Sequence, residues 1–276
     1  MNRISDYLKL TCDITHFLCN YCAKNGIESL VVGVSGGIDS AVSSTLAAKT
    51  GLPVYAIGMP LNQSPEQETL SDAHLFWLEK TYKNVTVLKT DLTKPFNKLI
   101  KQLTADLGVE YTINEMARAN SKSRMRMVTL YQVAASVGGI VVGTGNKVED
   151  YGVGFYTKYG DGGVDIAPIA DLYKTEVREL GRFLGVIPEI IEAKPTDGLW
   201  EDGRNDEDQL GASYEMLEWV MESGISGWHR EPIDQLTQWM GKELTEEQKE
   251  AICQYAKFNT QNKHKMNPIP TFKLEV

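Results

Sequence analysis

Two hydrophobic patterns alternate along the chain. Short apolar runs rich in β-branched residues predict buried strands, and longer stretches with apolar side chains three and four positions apart predict amphipathic helices. The runs that predict strands cover residues 30–34, 53–59, 85–88 and 140–144. The stretches that predict helices cover about residues 4–23, 41–49, 65–81, 91–107, 111–137, 172–184, 214–221 and 245–258. This alternation predicts an α/β fold in which crossover helices connect the strands of a parallel sheet.

A tight glycine turn follows the first strand and has the sequence Ser35-Gly36-Gly37-Ile38-Asp39-Ser40. Its glycines permit close approach of a ligand to the backbone, and the helix that follows begins with unpaired N–H groups that attract phosphate. A Walker-A loop has a lysine before its last hydroxyl residue, whereas this loop has Asp39. A carboxylate repels phosphate unless a cation lies between them, so Asp39 is a candidate Mg²⁺ ligand. The alternative is that Asp39 only caps the helix.

Basic residues lie along the predicted helix at residues 111–137. Arg124 falls on the same face as Met127 and Tyr131, and an inward arginine needs an anionic or hydrogen-bonding partner. A second line of basic residues, four positions apart, comprises Arg118, Lys122 and Arg126. Three like charges in line repel each other unless something negative faces them. The two interpretations are an anionic ligand and surface pairing with acidic residues.

Polar residues also follow the fourth predicted strand. In an open α/β sheet, ligands bind at the carboxyl ends of the strands, so Thr144 is expected to reach the same nucleotide as the glycine turn. Glu149 would supply a second carboxylate for a metal, or else a solvated loop charge. Residues 154–165 contain four glycines in ten positions, which favours a ligand loop over a helix or strand, with a solvated flexible loop as the alternative. The polar groups of that segment are Lys158, Asp161 and Asp165.

Charged residues recur in the second half of the chain. Asp171 is a candidate N-cap that places Lys174 in the first helical turn, where a lysine opposes the helix dipole. That position suits a shared anion, although solvent exposure would also tolerate it. The acidic stretch at residues 201–208 is expected to be solvated, and residues 262–268 form a basic tail in which His264 does not stand out on physical grounds.

Composition narrows the class of protein. The 276 residues, 42% of them apolar, predict a single domain over residues 1–276, with residues 201–210 as a mobile loop and residues 260–276 as a C-terminal tail. A net charge of −9 argues against a nucleic-acid binder. Cys19 and Cys22 fall in a helix without a second pair at zinc spacing, so core packing is favoured over metal chemistry. No signal peptide or membrane-length apolar run is visible, which predicts a cytoplasmic enzyme with no membrane partner.

The turn at residues 35–40 resembles the SGGxDS pyrophosphate loop of the N-type ATP pyrophosphatases, enzymes that adenylate a carbonyl-type oxygen and release pyrophosphate. Further segments between residues 35 and 265 resemble the NAD synthetase family within that superfamily. They are N-x-K-x-R at 120–124, V-G-T at 142–144, T-K-Y-G-D-G-G-x-D at 157–165, D-L-x-K-T at 171–175, P-T-x-x-L at 195–199 and H-K at 264–265.

The resemblance implies a fold and a reaction. The fold is the adenine nucleotide alpha hydrolase-like one, a doubly wound, Rossmann-like parallel sheet of five strands flanked by helices. The reaction is the last step of NAD biosynthesis, in which ATP activates the nicotinate carboxylate of deamido-NAD⁺ as an acyl-adenylate and ammonia displaces AMP to give NAD⁺. ATP is a co-substrate, Mg²⁺ is the cofactor, and a homodimer is expected.

The resemblance also assigns roles to residues. Asp39 and Glu149 resemble Mg²⁺ ligands. Asp161 is the candidate for holding ammonia or taking a proton from it, a hypothesis that rests on its being a carboxylate in a glycine-rich loop rather than on the resemblance. Lys174 resembles a catalytic ATP contact. The ATP contacts implied are Gly33, Val34, Ser35, Gly36, Gly37, Ile38, Asp39, Ser40, Thr144, Lys174 and Thr196. The contacts to deamido-NAD⁺ implied are Arg124, Lys158, Asp165, His264 and Lys265.

Two departures from the family pattern affect this interpretation. Gly58 stands where some members have an arginine that reaches ATP, and Gly145-Asn146 replaces an acidic-histidine pair of some members. The roughly 30 residues before the loop are too few for a glutaminase domain, which predicts free ammonia as the nitrogen source, with delivery by a separate subunit as the alternative. Two alternatives remain: another ATP pyrophosphatase, such as a GMP synthetase subunit or a tRNA-thiolating enzyme, and a non-catalytic nucleotide-binding protein on the same fold.

Overall fold

A parallel sheet of four strands lies at the centre of the computed structural model, which describes residues 3–196, 198–199, 205–225, 235–237, 241 and 243–274. The strands are β1 Ser29–Gly33, β2 Val54–Gly58, β3 Val85–Lys89 and β4 Gly139–Val141, in the order β3-β2-β1-β4. In register, Val31 of β1 lies between Tyr55 of β2 and Val141 of β4. The chain leaves β1 towards β2 and returns to its other side as β4, so the strand order reverses at β1. That reversal opens a crevice at the carboxyl ends of β1 and β4.

The prediction of a fifth strand is wrong, because the described residues form a sheet of four strands. Val142 instead forms a single parallel bridge with Ile166, and the Gly143 N–H donates to the Ile166 carbonyl at 2.7 Å. A turn precedes this bridge, closed by a hydrogen bond from the Gly163 N–H to the Gly160 carbonyl. Pro168 follows it and has no N–H for a further rung. The segment therefore ends after one rung, and the resemblance had implied one strand too many.

Helices cover both faces of the sheet. The helices with described bounds are α1 Tyr7–Asn25, α2 Ile38–Lys49, α3 Pro65–Thr81, α4 Thr93–Leu107, α5 Glu115–Ser136, α6 Lys174–Leu184, α7 Pro188–Glu192, α8 Asp206–Leu210, α9 Tyr214–Glu222 and α10 Glu246–Met266. Leu30 and Val32 of β1 point into a core with α1, α2, α3, α6 and α7. Val31 points the other way, into a core with α4 and α5. The α/β fold with helices on both faces is confirmed.

A third core lies beside the crevice. It packs α9 and α10 against a π-helical turn, Val148–Val153. Its buried side chains include Val148 of the turn, Tyr214 of α9 and Tyr255 of α10. This core holds the turn that carries Glu149.

Two helix boundaries and the burial of one acidic residue differ from the sequence expectations. Helix α6 begins at Lys174, and the Tyr173 N–H donates to the Glu176 carboxylate at 2.9 Å, so Asp171 is not the N-cap. Helix α10 continues to Met266, which places His264 in its last turn rather than in a tail. Residues 201–204 lie outside the described residues, while Asp206, expected to be solvated, is buried in α8.

None of the described helices combines the length and the apolar character that crossing a membrane requires.

Candidate active site

A cavity of about 260 Å³ opens at the carboxyl ends of β1 and β4. The predicted metal ligands Asp39 and Glu149 line it, together with Asp161 and Lys174. The other predicted nucleotide contacts that line it are Gly33, Val34, Ser35, Gly36, Gly37, Ile38, Ser40, Thr144 and Thr196. The fold thus brings every predicted ATP and metal residue to one cavity.

Hydroxyl groups close the glycine loop on itself. The Ser35 N–H donates to the Ser40 hydroxyl at 3.1 Å, and that hydroxyl donates to the Gly37 carbonyl at 2.9 Å. Gly36 has φ of +90°, and a Cβ there would lie 2.8 Å from the Gln67 carbonyl oxygen, so only glycine fits. Gly37 precedes α2 without a side-chain cap, which leaves the first N–H groups of the helix for a ligand.

Lys174 lies between the two predicted metal ligands. Its Nζ donates to Asp39 Oδ2 at 2.5 Å and to Glu149 Oε1 at 3.0 Å, and the lysine is 2% exposed. Asn146 Nδ2 donates to the other Asp39 oxygen at 3.2 Å. The Asp39 side chain therefore binds a lysine and an amide across the crevice. The alternative that it only caps α2 is wrong, because the N-cap is Gly37 and no side chain caps the helix. The sequence predicted an anion beside Lys174, and in the structure its anionic partners are the carboxylates of Asp39 and Glu149.

Burial and charge set the protonation of this cluster. Burial acts to lower the pKa of Lys174, but Asp39 and Glu149 raise it above its usual value, so the amine stays charged. Burial raises the pKa of Asp39, and Lys174 opposes that shift. Burial and the charge of Glu149 raise the pKa of Asp150, which also lines the cavity, to about 8. Carboxyl groups outnumber the ammonium here, so the cluster has room for additional positive charge.

The donor chemistry fits Mg²⁺. Carboxylate oxygens are hard ligands, and Mg²⁺ is usually held by one or two carboxylates with phosphate oxygens and water completing its octahedron. Within the described ranges, no group of three or more His, Cys, Asp and Glu side chains is arranged to hold a metal unaided. Asp39 and Glu149 would therefore hold the ion together with nucleotide phosphates.

The start of α6 is fastened on two sides, which fixes Lys174. Arg3 donates through Nε and Nη2 to the buried Glu176 at 3.0 and 2.7 Å. Glu218 of α9 accepts from both the N–H and the hydroxyl of Thr175, at 3.0 and 2.6 Å. The two residues that follow the lysine are thus tied to other elements, which fixes the start of the helix that carries its ammonium.

Hydrogen bonds hold the glycine-rich segment to α5. Asp161 Oδ1 accepts from the Ser123 hydroxyl at 2.7 Å and from the Thr157 N–H at 2.9 Å, and the Asp161 N–H donates back to Ser123 at 2.8 Å. Desolvation raises the pKa of Asp161, and these hydrogen bonds oppose the shift. Both described side-chain bonds use Oδ1, so a carboxylate that lines the cavity is anchored through one oxygen.

The prediction that Arg124 faces inward is wrong. Arg124 is exposed, and its Nε donates to the Lys158 carbonyl at 3.3 Å. The side of α5 that lines the cavity carries Ser123, Arg126, Met127 and Leu130. Arg124 is one position after Ser123, which turns it about 100° away from that face.

Two members of the second basic line face inward instead. Arg126 lines the cavity and donates to the Met59 carbonyl at 3.3 Å and to Gln63 Oε1 at 2.8 Å. Lys122 is buried and donates to the Leu199 carbonyl at 3.0 Å. These three partners are carbonyl and amide oxygens.

The basic residues predicted to contact the substrate lie around the glycine-rich segment, residues 154–165. Lys158 Nζ lies 3.4 Å from the His264 carbonyl, and Lys265 Nζ donates to the Tyr156 carbonyl at 2.6 Å. Together with Arg124 they form a basic cluster, defined as Arg124, Lys158, His264 and Lys265, whose members are not part of the cavity wall.

Asp165 is tied to the sheet rather than to the basic cluster. Its Oδ1 accepts from the Tyr131 hydroxyl at 3.0 Å and its Oδ2 from the Val141 N–H at 2.8 Å. The carboxylate therefore closes the edge of β4, a structural role that the sequence did not predict.

Sequence reasoning missed two residues of the cluster. Asn146 follows Thr144 by two positions, so the rule that ligands gather at strand ends could have included it. Tyr214 donates to Glu149 Oε1 at 2.6 Å from 65 residues away along the chain. No local pattern signals such a contact.

Known proteins resemble the chain over most of its length. The NAD synthase family model matches residues 10–268. An NH(3)-dependent NAD(+) synthetase of Methanococcoides burtonii is 40% identical over 224 residues, covering 80% of this chain and 81% of the relative. One of Sulfolobus acidocaldarius is 35% identical over 227 residues, covering 78% and 77%.

Solved structures share the fold. An NMN synthetase from Francisella tularensis superposes with a TM-score of 0.79 at 27% identity, covering 98% of this chain and all of the other. An NH3-dependent NAD synthetase from Campylobacter jejuni has a TM-score of 0.72 at 23% identity, which supports the fold alone. The match of the family model and the identity to the curated relatives decide the classification: this chain belongs to the NAD synthase family.

Proposed function

We propose that this protein catalyses the ATP-dependent amidation of deamido-NAD⁺ by free ammonia, giving NAD⁺, AMP and pyrophosphate. The observation that carries the proposal is the cluster of Asp39, Lys174 and Glu149 beside the glycine loop, in a chain of the NAD synthase family. The relatives matched at 32–40% identity are named NH(3)-dependent NAD(+) synthetases.

The first half of the reaction forms a mixed anhydride. An oxygen of the nicotinate carboxylate attacks the α-phosphorus of ATP, the bond to the β-phosphate oxygen breaks, and pyrophosphate leaves. Mg²⁺, held by Asp39 and Glu149, would neutralise phosphate charge. Lys174 supplies a fixed positive charge at the same place, and the N–H groups at the start of α2 bind phosphate oxygens.

The second half replaces AMP with nitrogen. Ammonium first loses a proton, and ammonia then attacks the carbonyl carbon of the acyl-adenylate. The bond to the AMP oxygen breaks, and the nitrogen loses a second proton to leave the neutral amide. We assign Asp161 to the ammonium, because its carboxylate lines the cavity and is anchored there through Oδ1. The raised pKa of Asp161 makes it a better proton acceptor than an ordinary aspartate.

The binding roles follow from position. The residues of the loop at 33–40, with Thr144 and Thr196, are assigned to ATP because they line the cavity. The basic cluster of Arg124, Lys158, His264 and Lys265 is assigned to the phosphates of deamido-NAD⁺. Asp165, assigned to the same substrate by resemblance, would have to act while it accepts two hydrogen bonds from the fold.

A homodimer, a single domain over residues 1–276 and a cytoplasmic location belong to the same proposal. Exposed apolar side chains that lie close together in the sequence, from the end of α4 to the start of α5, support the dimer. They are Leu107, Val109, Tyr111, Ile113 and Met116. Tyr111→Glu with Ile113→Glu should halve the mass measured by sedimentation equilibrium, and an unchanged mass would remove this surface from the dimer.

A second substrate deserves a direct comparison. The Francisella tularensis structure with a TM-score of 0.79 is named an NMN synthetase. The mononucleotide counterpart of deamido-NAD⁺ carries the same nicotinate carboxylate, so the same adenylation could act on it. The names of the curated relatives favour the dinucleotide.

One assay tests the proposal. Purified protein, ATP, Mg²⁺ and ammonium are incubated with deamido-NAD⁺, with nicotinate mononucleotide or with xanthosine monophosphate, and AMP and amidated product are separated by chromatography. The expected result is AMP and NAD⁺ in equal amounts with deamido-NAD⁺. No AMP with deamido-NAD⁺ refutes the proposal, and a higher kcat/KM with another acceptor reassigns the substrate. Glutamine in place of ammonium tests the nitrogen source.

A further inference from the structure

Tyr214 touches the candidate metal site from the core behind it. The side chain is fully buried, and its hydroxyl donates to Glu149 Oε1 at 2.6 Å. The ammonium of Lys174 donates to the same oxygen at 3.0 Å and lies 4.8 Å from the centroid of the Tyr214 ring. One tyrosine therefore contacts both the carboxylate and the lysine of the site.

The two hydrogen bonds fix the orientation of the Glu149 carboxylate. Both described donors, Tyr214 and Lys174, end on Oε1. A carboxylate held through one oxygen presents its other oxygen, Oε2, in a defined direction.

Packing alone does not account for a tyrosine at this position. The ring belongs to the core that α9 forms with α10, and a phenylalanine would fill the same space. A buried hydroxyl is costly unless it is hydrogen-bonded, and this one is satisfied by a carboxylate of the site. Four residues further along α9, Glu218 holds the backbone and side chain of Thr175, next to Lys174. The same helix thus aligns Glu149 and the start of α6.

We propose that Tyr214 is a positioning residue of the metal site: its hydroxyl fixes the orientation of the Glu149 carboxylate that would hold the cation, and its ring supports Lys174. The inference rests on the proposed function, because that function places Mg²⁺ on Asp39 and Glu149. Partners that orient a metal-binding carboxylate are worth about 10- to 100-fold in metal affinity in other proteins.

The test is Tyr214→Phe, which keeps the ring and removes only the hydroxyl. Mn²⁺ replaces Mg²⁺ as the probe, and its binding in the presence of a non-hydrolysable ATP analogue is measured by electron paramagnetic resonance. We expect Mn²⁺ to bind about 10-fold more weakly. In steady-state assays, the Mg²⁺ concentration for half-maximal rate should rise while the KM for deamido-NAD⁺ stays the same. Unchanged Mn²⁺ affinity overturns the inference.

Two controls separate positioning from packing and from the proposed function. Tyr255→Phe removes a hydroxyl from the same core and should leave Mn²⁺ affinity unchanged. In a Glu149→Gln background, Tyr214→Phe should have no further effect on Mn²⁺ affinity, whereas an effect of full size in that background contradicts the inference. If the wild-type protein forms no AMP from ATP and deamido-NAD⁺, the proposed function fails, and the Mn²⁺ comparison still decides the role of Tyr214.

Discussion

Opposite charge arrangements distinguish the two ends of the proposed site, the nucleotide end at the glycine loop and the basic cluster. At the nucleotide end, Lys174 is 2% exposed and its partners are two carboxylates, so positive and negative charges are already paired. At the other end, exposed Arg124 donates to a backbone carbonyl, which satisfies a hydrogen bond but cancels no charge. The first end binds an anion only when a cation accompanies it. The second is ready for a bare anion, and its binding should weaken with salt because exposed charges are screened.

Lys174→Met should have the largest effect, because it removes the ion pairs at the nucleotide end. The substitution removes a fixed charge from the phosphates and leaves Asp39 and Glu149 without their common ammonium. We expect kcat/KM for ATP to fall about 1000-fold, as for the loss of a preorganised electrostatic contact. Steady-state kinetics at saturating deamido-NAD⁺ measure it.

Lys147→Met provides the matched control. Lys147 pairs with the exposed Asp171 at 2.7 Å, three positions before Lys174 in the chain. Its loss should change kcat/KM less than twofold, since exposed ion pairs contribute little. Equal effects of the two substitutions would show that charge near α6 matters and the Lys174 geometry does not.

Asp161→Asn should separate the two halves of the reaction. Asparagine keeps an oxygen for the Ser123 and Thr157 donors but loses the negative charge and the proton acceptor. We expect turnover with limiting ammonium to fall about 100-fold, within the range of general-base effects. Exchange of labelled pyrophosphate into ATP, which reports adenylation alone, should be retained. Full turnover at limiting ammonium contradicts the assignment, and Asp171→Asn serves as the control on an exposed carboxylate.

A buried histidine makes the packing of α3 against α2, the helix that follows the glycine loop, sensitive to acid. His74 of α3 is fully buried, its Nε2 lies 3.0 Å from the Ser44 hydroxyl of α2, and burial lowers its pKa to about 4. The unfolded state binds a proton near pH 6.5 and the folded state does not, so stability falls as the pH drops from 6.5 towards 4.

Urea unfolding at pH 7 and pH 5 measures this contribution. Linkage gives a loss of about 2 kcal/mol from His74 between these two values. His74→Gln should remove that part of the pH dependence, while His16→Gln, on an exposed side chain, should leave it in place. A wild-type slope in His74→Gln would assign the acid sensitivity to other groups.

Arg124→Met should have the smallest effect of these substitutions, and it tests the role of the basic cluster. The exposed guanidinium is assigned to an anionic group of deamido-NAD⁺, so its loss should raise the KM for that substrate about 10-fold. The KM for ATP should stay within twofold, because Arg124 does not line the cavity. Arg182→Met, on an exposed pair with Glu179, is the control. A rise in the KM for ATP of the same size would place both substrates on the basic cluster.

Sequence signals that act over a few residues, such as helix caps and glycine turns, correctly predicted the elements that depend on them. Helix α3 has its predicted bounds because Ser64 caps it and Pro65 occupies its first position. The glycine loop was predicted because close approach and phosphate binding demand those residue types. In both cases the cause lies within a few residues of the effect.

Tertiary contacts decided the rest. Helix α10 continues past Phe258 because Asn259 and Asn262 donate to the carbonyls of Gly152 and Val153, at 2.7 and 2.9 Å. The side of α5 that faces the cavity depends on how the helix packs. The sequence pattern predicted that Arg124 faces inward, whereas the residue one position earlier, Ser123, does so. The hydroxyl of Tyr214 meets Glu149 only in the folded chain.

The carboxylate of Asp165 has a consequence for how the chain avoids aggregation. An open strand edge offers unpaired N–H and C=O groups on which a second chain can pair. At β4, the Val141 N–H is taken by Asp165 Oδ2 and its carbonyl by the Asp165 N–H, at 2.8 and 3.0 Å. One residue of the glycine-rich segment thus occupies the hydrogen-bonding groups of Val141 and opposes intermolecular pairing at the β4 edge. Substitutions of Asp165 made to study catalysis will also expose this edge, so colloidal stability has to be measured alongside turnover.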